Sequence, residues 1–281
     1  MKSYLDCIPC FFDQALRAAR VATRDERKQK LLMDELGKRL SQISLESTPP
    51  ETGRLIYGLV REITGNDDPY RELKRQSTQK ALALYPGLKK EVESSVDSLM
   101  TAIRIAIAGN VMDFGANAEF DIEAALKETL QREFAICDFG AFQQSLDNCK
   151  SVLYIGDNAG ETVFDRLLIE QMGKPTTYVV RETPVINDAV AEDAVMAGID
   201  KVATIVSSGT DAPGTILHLC SDEFIRMLDR AELIIAKGQG NYEGLSTESY
   251  RIFFLLKAKC RIIASDLGVQ KGDIILKGMN L

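Results

Sequence analysis

Polar side chains that could bind a metal ion follow an apolar run near the middle of the chain. Residues 152–155 are apolar, Asp157 and Asn158 come directly after them, and a helix-like segment begins at Thr162. A strand that ends in an acid and an amide, and returns as a helix, places two hard oxygen donors where α/β sheets bind ligands. The stretch therefore predicts a metal site.

A second acid, Asp188, closes the loop after the next predicted strand. Either acid could simply cap the helix that follows it. Helix capping alone does not explain well why two acids and an amide would lie close together. Carboxylates crowded without a cation repel each other and raise each other's pKa. A divalent ion held by Asp157, Asn158 and Asp188 would relieve that repulsion. Oxygen ligands suit Mg²⁺ or Mn²⁺, although such sites also take other divalent ions, among them Ni²⁺ and Co²⁺.

A lysine and two glycines form a candidate phosphate site after a later apolar run. Lys237 follows residues 233–236, and Gly238 and Gly240 let backbone N–H groups as far as Asn241 approach an anion closely. We predict that this lysine and this backbone bind phosphate. The alternative is that the glycines merely allow a sharp turn beside a solvated lysine. Their spacing fits neither a dinucleotide-binding fingerprint nor a Walker loop.

Two further segments could complete the pocket. Ser208, Gly209 and Asp211 offer hydroxyl, backbone and carboxylate groups, although the same composition is common in surface turns. Asn110 and Asp113 interrupt an apolar helical run and could reach the site from a second lobe. The alternative there is a helix stop, for which Gly and Asn at a helix end suffice.

The cysteines predict no disulfide framework. Six are present, mostly single in apolar or amphipathic runs, which suits buried reduced thiols. Cys7 and Cys10 have C-x-x-C spacing, but a zinc site would need a second pair or histidines at suitable spacing. A chance spacing on one helix face is the alternative, and the role of the pair stays open.

The elements that must position these residues differ between the two halves of the chain. Residues 1–148 show helical periodicity, which predicts an all-helical N-terminal domain. Its helical segments are expected at 32–43, 51–64, 70–84, 88–108 and 121–134, with breaks at 49–50, 65–69 and 86–87.

From residue 149 to residue 281, short apolar runs alternate with helical ones, which indicates βαβ units. We predict an α/β domain with a doubly wound, mainly parallel Rossmann-like sheet. Strands are expected at 152–155, 176–180, 201–206, 232–236, 261–264 and 273–277, with helices at 163–172, 188–197, 215–230 and 245–258. Parallel strands end at one rim, so the polar loops should converge on one crevice.

Composition restricts the partners. A chain of 281 residues, 45% hydrophobic and 27% charged, suits a globular protein of two lobes. Its formal charge of -7 argues against binding of nucleic acid, whose phosphates need clustered Lys and Arg. The sequence shows neither an apolar stretch of about 20 residues nor a secretory segment, so we expect a cytoplasmic protein without a membrane partner. The oligomeric state is left open.

Together these motifs resemble the damage-control phosphatase family, also called domain of unknown function eighty-nine, in its prokaryotic branch with an N-terminal Cys-x-x-Cys. The resemblance covers essentially the whole chain and rests on the motifs at 7–10, 108–115, 156–161, 181–188, 208–211 and 237–241. It implies a metal-dependent phosphatase whose ion is held by Asp157, Asn158 and Asp188. Its implied substrates are small phosphorylated metabolites, such as sugar phosphates, phosphopantetheine derivatives or damaged metabolites.

Phosphate monoesters hydrolyse very slowly, so a catalyst must neutralise phosphoryl charge and present a nucleophile in line. We assign this chemistry to Asp157, Asp188 and Lys237, with water favoured as the nucleophile and an aspartyl phosphate left open. Two other functions remain as alternatives. One is an S-adenosylmethionine-dependent methyltransferase, which would need neither the metal cluster nor the lysine. The other is a non-catalytic metabolite-binding module.

Overall fold

The computed structural model describes residues 1–41, 43–109 and 122–281, with only the backbone described for residues 122–126. Its helices are α1 (Cys7–Ala22), α2 (Glu26–Leu40), α3 (Pro49–Thr64), α4 (Arg71–Ser94), α5 (Ser98–Gly109), α6 (Ile122–Gln131), α7 (Phe139–Asn148), α8 (Thr162–Met172), α9 (Ala191–Ala197), α10 (Asp222–Arg230), α11 (Gly238–Leu245) and α12 (Arg261–Leu267). Its strands are β1 (Phe134–Cys137), β2 (Val152–Ile155), β3 (Thr176–Val180), β4 (Thr204–Ser207), β5 (Leu233–Lys237), β6 (Ile252–Lys257) and β7 (Ile274–Met279). Short 3₁₀ turns lie at Ile199–Lys201 and Leu217–Leu219.

All of these strands join one sheet, in the order β1-β7-β6-β5-β2-β3-β4. Every neighbouring pair is parallel except β6 and β7. From β2 the chain proceeds outward through β3 to β4, and from β5 it proceeds the other way to β6. The order of the strands therefore reverses between β2 and β5, which is where open α/β sheets bind ligands. The prediction of a doubly wound, mainly parallel sheet is confirmed.

The central strands are apolar throughout because helices cover both faces of the sheet. All four residues of β2 and all five of β5 are buried. Tyr154 and Ile235 point into a core shared with α4, α5 and α8. Leu153 and Ile234, one residue earlier, point into the opposite core with α10, α11 and α12. This alternation is what a pleated strand buried on both faces requires.

A third apolar core lies between α1, α2 and α3, with Phe11, Leu32 and Ile56 among its buried residues. The start of α3 is fixed by a capping box between Thr48 and Glu51. Helix α3 also packs against α11 of the sheet domain. The three helices are thereby held beside the carboxyl ends of the central strands.

Several predicted elements of the sheet domain were wrong. Residues 245–258 were expected to form a helix, but they contain β6, in which only Lys257 is partly exposed. A fully buried run lacks the alternation that distinguishes a strand from a helix. Residues 261–264 were expected to form a strand and begin α12, whose Ile263 N–H donates to the Cys260 sulfur at the N-cap. The helix expected at 215–230 is reduced to a 3₁₀ turn and α10.

The predicted helical region of residues 1–148 also contains a strand. Strand β1 has only four residues and pairs with β7 in the sheet. The expected break at 86–87 is absent, since α4 continues through Pro86. Buried Leu88 and Val92 anchor the helix beyond the proline, so packing outweighs the lost hydrogen bond. The division at residues 148 and 149 stays a prediction. In the described residues, no helix is long and apolar enough to cross a membrane.

Two glycines of α3 provide a test of how this helix packs on the sheet domain. A Cβ added at Gly53 would come within 2.6 Å of the Pro213 ring, whereas one added at Gly58 would meet nothing within 4 Å. We predict that Gly53→Ala lowers the free energy of unfolding by about 1–3 kcal/mol through overpacking. Gly58→Ala should leave it unchanged or raise it by up to about 1 kcal/mol, because alanine favours helix. Urea denaturation of both variants measures the difference, and equal effects would contradict the packing described.

Candidate active site

The loops after β2 and β3 are joined by their backbones at the point where the strand order reverses. Ala159 N–H donates to the Asn187 carbonyl and Ala189 N–H to the Asp157 carbonyl, both at 2.8 Å. Asn158 and Asp188 form an antiparallel bridge between the loops. These bonds fix the register of the two loops, so the two acids and the amide lie at one place.

Asp188 is held by a buried arginine. The Arg181 Nε–H donates to Asp188 Oδ2 at 2.8 Å, and both side chains are buried. The same guanidinium donates to Asn241 Oδ1 at 3.0 Å. Asn241 in turn donates to the carbonyls of Gly156 at 3.0 Å and Lys237 at 2.7 Å. The ends of β2, β3 and β5 are therefore tied together through one guanidinium and one amide.

Asp157 and Asn158 are oriented by a neighbouring acid. The Asn158 Nδ2 donates to Asp157 Oδ2 and to Glu161 Oε2, each at 3.0 Å. Glu161 follows them by one short turn and is fully buried at the start of α8. The two donations use both N–H groups of the amide, so its oxygen Oδ1 is the atom left to bind a ligand.

The electrostatics of this site favour a cation. Burial, with the nearby Asp188 and Glu161, raises the pKa of Asp157 to about 8. Burial also raises the pKa of Asp188, although Arg181 opposes the shift. If all four buried carboxylates were ionised, Asp165 included, the two buried cations Arg181 and Lys237 would leave two negative charges for a bound cation to neutralise.

Two carboxylates and an amide oxygen fit a hard divalent ion of the Mg²⁺ or Mn²⁺ type. In the described part of the chain, no three acid, histidine or cysteine side chains form a metal-binding group by themselves. The amide of Asn158 and water would therefore have to complete the ligand set.

A cleft of about 270 Å³ opens above these residues. Its floor is formed by Asp157, Asn158 and Asp188, and its walls come from α1, the start of α3 and the segment after β6. The site thus lies between the helical core of α1–α3 and the carboxyl ends of the central strands.

Lys237 does not lie where the sequence suggested. It is fully buried, and its Nζ donates to Glu161 and Asp165 at 2.5 Å and to the Ala106 carbonyl at 2.9 Å. An ammonium has three N–H donors, and these acceptors take all three. The expectation that Lys237 binds phosphate directly is therefore corrected: its ammonium belongs to a buried ion cluster beneath the site.

The expected phosphate loop after Lys237 is the first turn of α11. Gly238 begins the helix with a φ of 76°, and Gly240 reaches the cleft wall. The side chain of Asn241 is fully buried in the bonds described above. These positions shape the floor and wall of the cleft, with Gly240 alone exposed to its interior.

Residues 208–211, which follow β4, do not line the cleft. Ser208 is buried and donates to the Val180 carbonyl at 3.0 Å. Gly209 and Asp211 line a separate depression beside Arg54, to which Asp211 is paired. Asn110 and Asp113 lie outside the described residues.

Sequence reasoning missed a lysine that does line the cleft. Lys259 follows β6 and is close enough to lower the pKa values of Asp157 and Asp188. Its backbone N–H donates to Gln239 Oε1 at 3.2 Å, and Gln239 Nε2 donates to Glu243 at 2.8 Å. A strand ending at Lys257 would have placed Lys259 on the rim, but that strand had been predicted as a helix.

The first helix supplies a second missed wall of the cleft, with Cys7, Cys10, Gln14 and Arg17 along one side. Cys260 faces the same space from the loop before α12. All six cysteines are free thiols, but only Cys149 is buried, whereas the sequence predicted that most would be. Burial raises the pKa of Cys7 and of Cys10, so both thiols stay protonated near neutral pH.

Comparison with known proteins gives a consistent result. A model of the damage-control phosphatase ARMT1-like domain matches residues 3–275. A damage-control phosphatase of Pyrococcus horikoshii is 36% identical over 282 residues, which cover 98% of this chain and 97% of the relative. A damage-control phosphatase of Archaeoglobus fulgidus is also 36% identical over 282 residues, covering 96% of this chain and 97% of the relative.

A solved structure resembles the whole chain. It is the crystal structure of a DUF89 family protein of Pyrococcus horikoshii, with a TM-score of 0.90 and 35% sequence identity. The match covers 99% of both chains, so the helical segments and the sheet are shared together.

Proposed function

Since the chain belongs to the damage-control phosphatase ARMT1-like family, we propose that its cleft hydrolyses phosphate monoesters of small metabolites with the aid of one divalent cation. Phosphatase action on damaged metabolites is the function of this family. The dependence on a metal, the ester class and the roles of individual residues are what we propose here.

The observation that carries the proposal is the buried pair Asp157 and Asp188 beside the amide of Asn158, where burial and the neighbouring carboxylates raise the pKa of Asp157. These three side chains would hold the cation. A cation bound there would neutralise the charge on the phosphoryl oxygens and promote attack by water.

The protein's own groups bind and orient the ester. Lys259 lines the cleft, and its ammonium would pair with a phosphoryl oxygen. Arg181 is buried beneath Asp188 and donates to its carboxylate. It therefore orients this ligand of the cation and does not contact the ester. We assign the phosphate-binding role first given to Lys237 to Lys259.

The upper walls of the cleft suit the part of a small metabolite that lies beyond its phosphate group. Gln14 and Arg17 offer polar contacts, while Phe11, Tyr57 and Tyr70 offer apolar surface. A volume of about 270 Å³ is at the small end for metabolite sites. We propose sugar phosphates and phosphopantetheine-type or damaged phosphorylated metabolites as the substrates. Family membership favours neither of the earlier alternatives, the methyltransferase and the non-catalytic binding module.

Removal of divalent ions should abolish the activity. After dialysis against a chelator, we expect no release of phosphate from p-nitrophenyl phosphate, and recovery when Mg²⁺ or Mn²⁺ is added back. Asp157→Asn should lower kcat at least about 100-fold, because the negative charge of one ligand is lost while the shape of the side chain is kept. Asp200→Asn, on an exposed acid away from the cleft, is the matched control and should stay active. Full activity in the chelated protein would refute the metal dependence.

Replacement of the cleft lysine should weaken substrate binding. We predict that Lys259→Met raises the KM for p-nitrophenyl phosphate by roughly 10- to 100-fold, the value of one charge-assisted contact. Lys271→Met removes an exposed lysine of the same C-terminal segment and should leave KM unchanged. Steady-state kinetics of both variants make the comparison. An unchanged KM in a folded Lys259→Met variant would show that the phosphate binds elsewhere.

A further inference from the structure

A continuous buried chain of hydrogen bonds runs from the site into the protein interior. It starts at Asn158, whose Nδ2 donates to Glu161 Oε2 at 3.0 Å. The other oxygen of Glu161 accepts from Lys237, which also pairs with Asp165. Asp165 then accepts from two tyrosine hydroxyls, those of Tyr154 and Tyr178, each at 2.7 Å. Glu161, Asp165 and Lys237 have no exposed surface.

The hydrogen bond to Glu161 determines whether the oxygen or the nitrogen of the Asn158 amide faces the cleft. A carboxylate can only accept hydrogen bonds, so Glu161 and Asp157 both require the amide nitrogen. A rotated amide would direct its oxygen at two carboxylates and its N–H groups at the cation. A cation binds the oxygen of an amide, so the rotated form would lose a ligand.

Lys237 holds the carboxyl group of Glu161 in the position that this orientation of the amide requires. Its ammonium lies 2.5 Å from Glu161 Oε1 and leaves Oε2 free to accept from the amide. Burial of such a lysine would be very costly unless the surrounding carboxylates were charged. The cluster below the site thus fixes the direction from which Glu161 accepts the hydrogen bond of the amide.

We propose that Glu161 and Lys237 are positioning residues, which hold the amide of Asn158 with its oxygen toward the cation. This inference rests on the cation site proposed above and explains why the Asn158 amide has the orientation that the site requires. Partners behind metal ligands commonly change metal affinity by about 10- to 100-fold when they are replaced.

The test measures Mn²⁺ binding directly, from the EPR signal of the free ion, with no substrate present. In Glu161→Gln the new amide must turn its oxygen to Lys237 and its NH₂ group to Asn158, which favours the rotated amide. We expect the Kd for Mn²⁺ to rise about 10- to 100-fold. If this variant fails to fold in circular dichroism, Glu161→Asp replaces it, since the shorter carboxylate keeps the charge and withdraws from the amide.

Two further variants separate orientation from general damage. Tyr154→Phe removes a hydroxyl that donates to Asp165 at the far end of the hydrogen-bond chain, and it should leave the Kd for Mn²⁺ close to the wild-type value, even if the melting temperature falls. Addition of Asn158→Asp to Glu161→Gln should restore most of the lost affinity. A carboxylate presents an oxygen to the cation in either orientation, so it no longer needs Glu161.

The outcomes distinguish this inference from the metal site itself. A wild-type protein that binds no Mn²⁺ would overturn both. Wild-type binding that persists unchanged in a folded Glu161→Gln variant would overturn the positioning role alone. The same conclusion would follow if the double variant bound no better than Glu161→Gln.

Discussion

The repulsion between Asp157 and Asp188 is the constraint on which the rest of the site depends. Two carboxylates are buried side by side because backbone hydrogen bonds lock the loops after β2 and β3 in register. Left alone, such a pair would hold protons, as the raised pKa of Asp157 shows. Arg181 balances Asp188 from below, and a divalent ion in the crevice would take the place of the proton on Asp157 and relieve the remaining repulsion.

The remaining architecture serves this pair in two layers. Beneath it, the ion cluster of Glu161, Lys237 and Asp165 lies inside the core and fixes the amide beside the acids. Above it, α1 and α3 form the outer wall, so a substrate is enclosed between the helical core and the sheet. The match of one family model and one solved structure over nearly the whole chain agrees with a site that needs both parts.

Sequence reasoning could predict the sheet and the meeting of Asp157 with Asp188, because parallel strands must end on one rim and both acids lie in loops that follow strands. It could not predict which lysine reaches the cleft. Lys237 and Lys259 both follow strands, but only contacts distant in sequence show that Lys237 turns inward to Glu161 and Asp165. Strand β6 was hidden because a fully buried run has no periodicity, and with it the position of Lys259 was lost. The prediction that the segment with Ser208 lines the site was wrong because a polar composition of this kind fits an ordinary surface turn equally well.

The most direct measurement of the central claim is a crystal structure of the protein soaked in Mn²⁺, with data collected at a wavelength where manganese scatters anomalously. The account predicts one strong anomalous peak between the two loops, within coordination distance of the Asp157 and Asp188 carboxylates and of Asn158 Oδ1. An absence of any peak there at saturating Mn²⁺, or a peak bound by other groups such as Cys7 and Cys10, would contradict it.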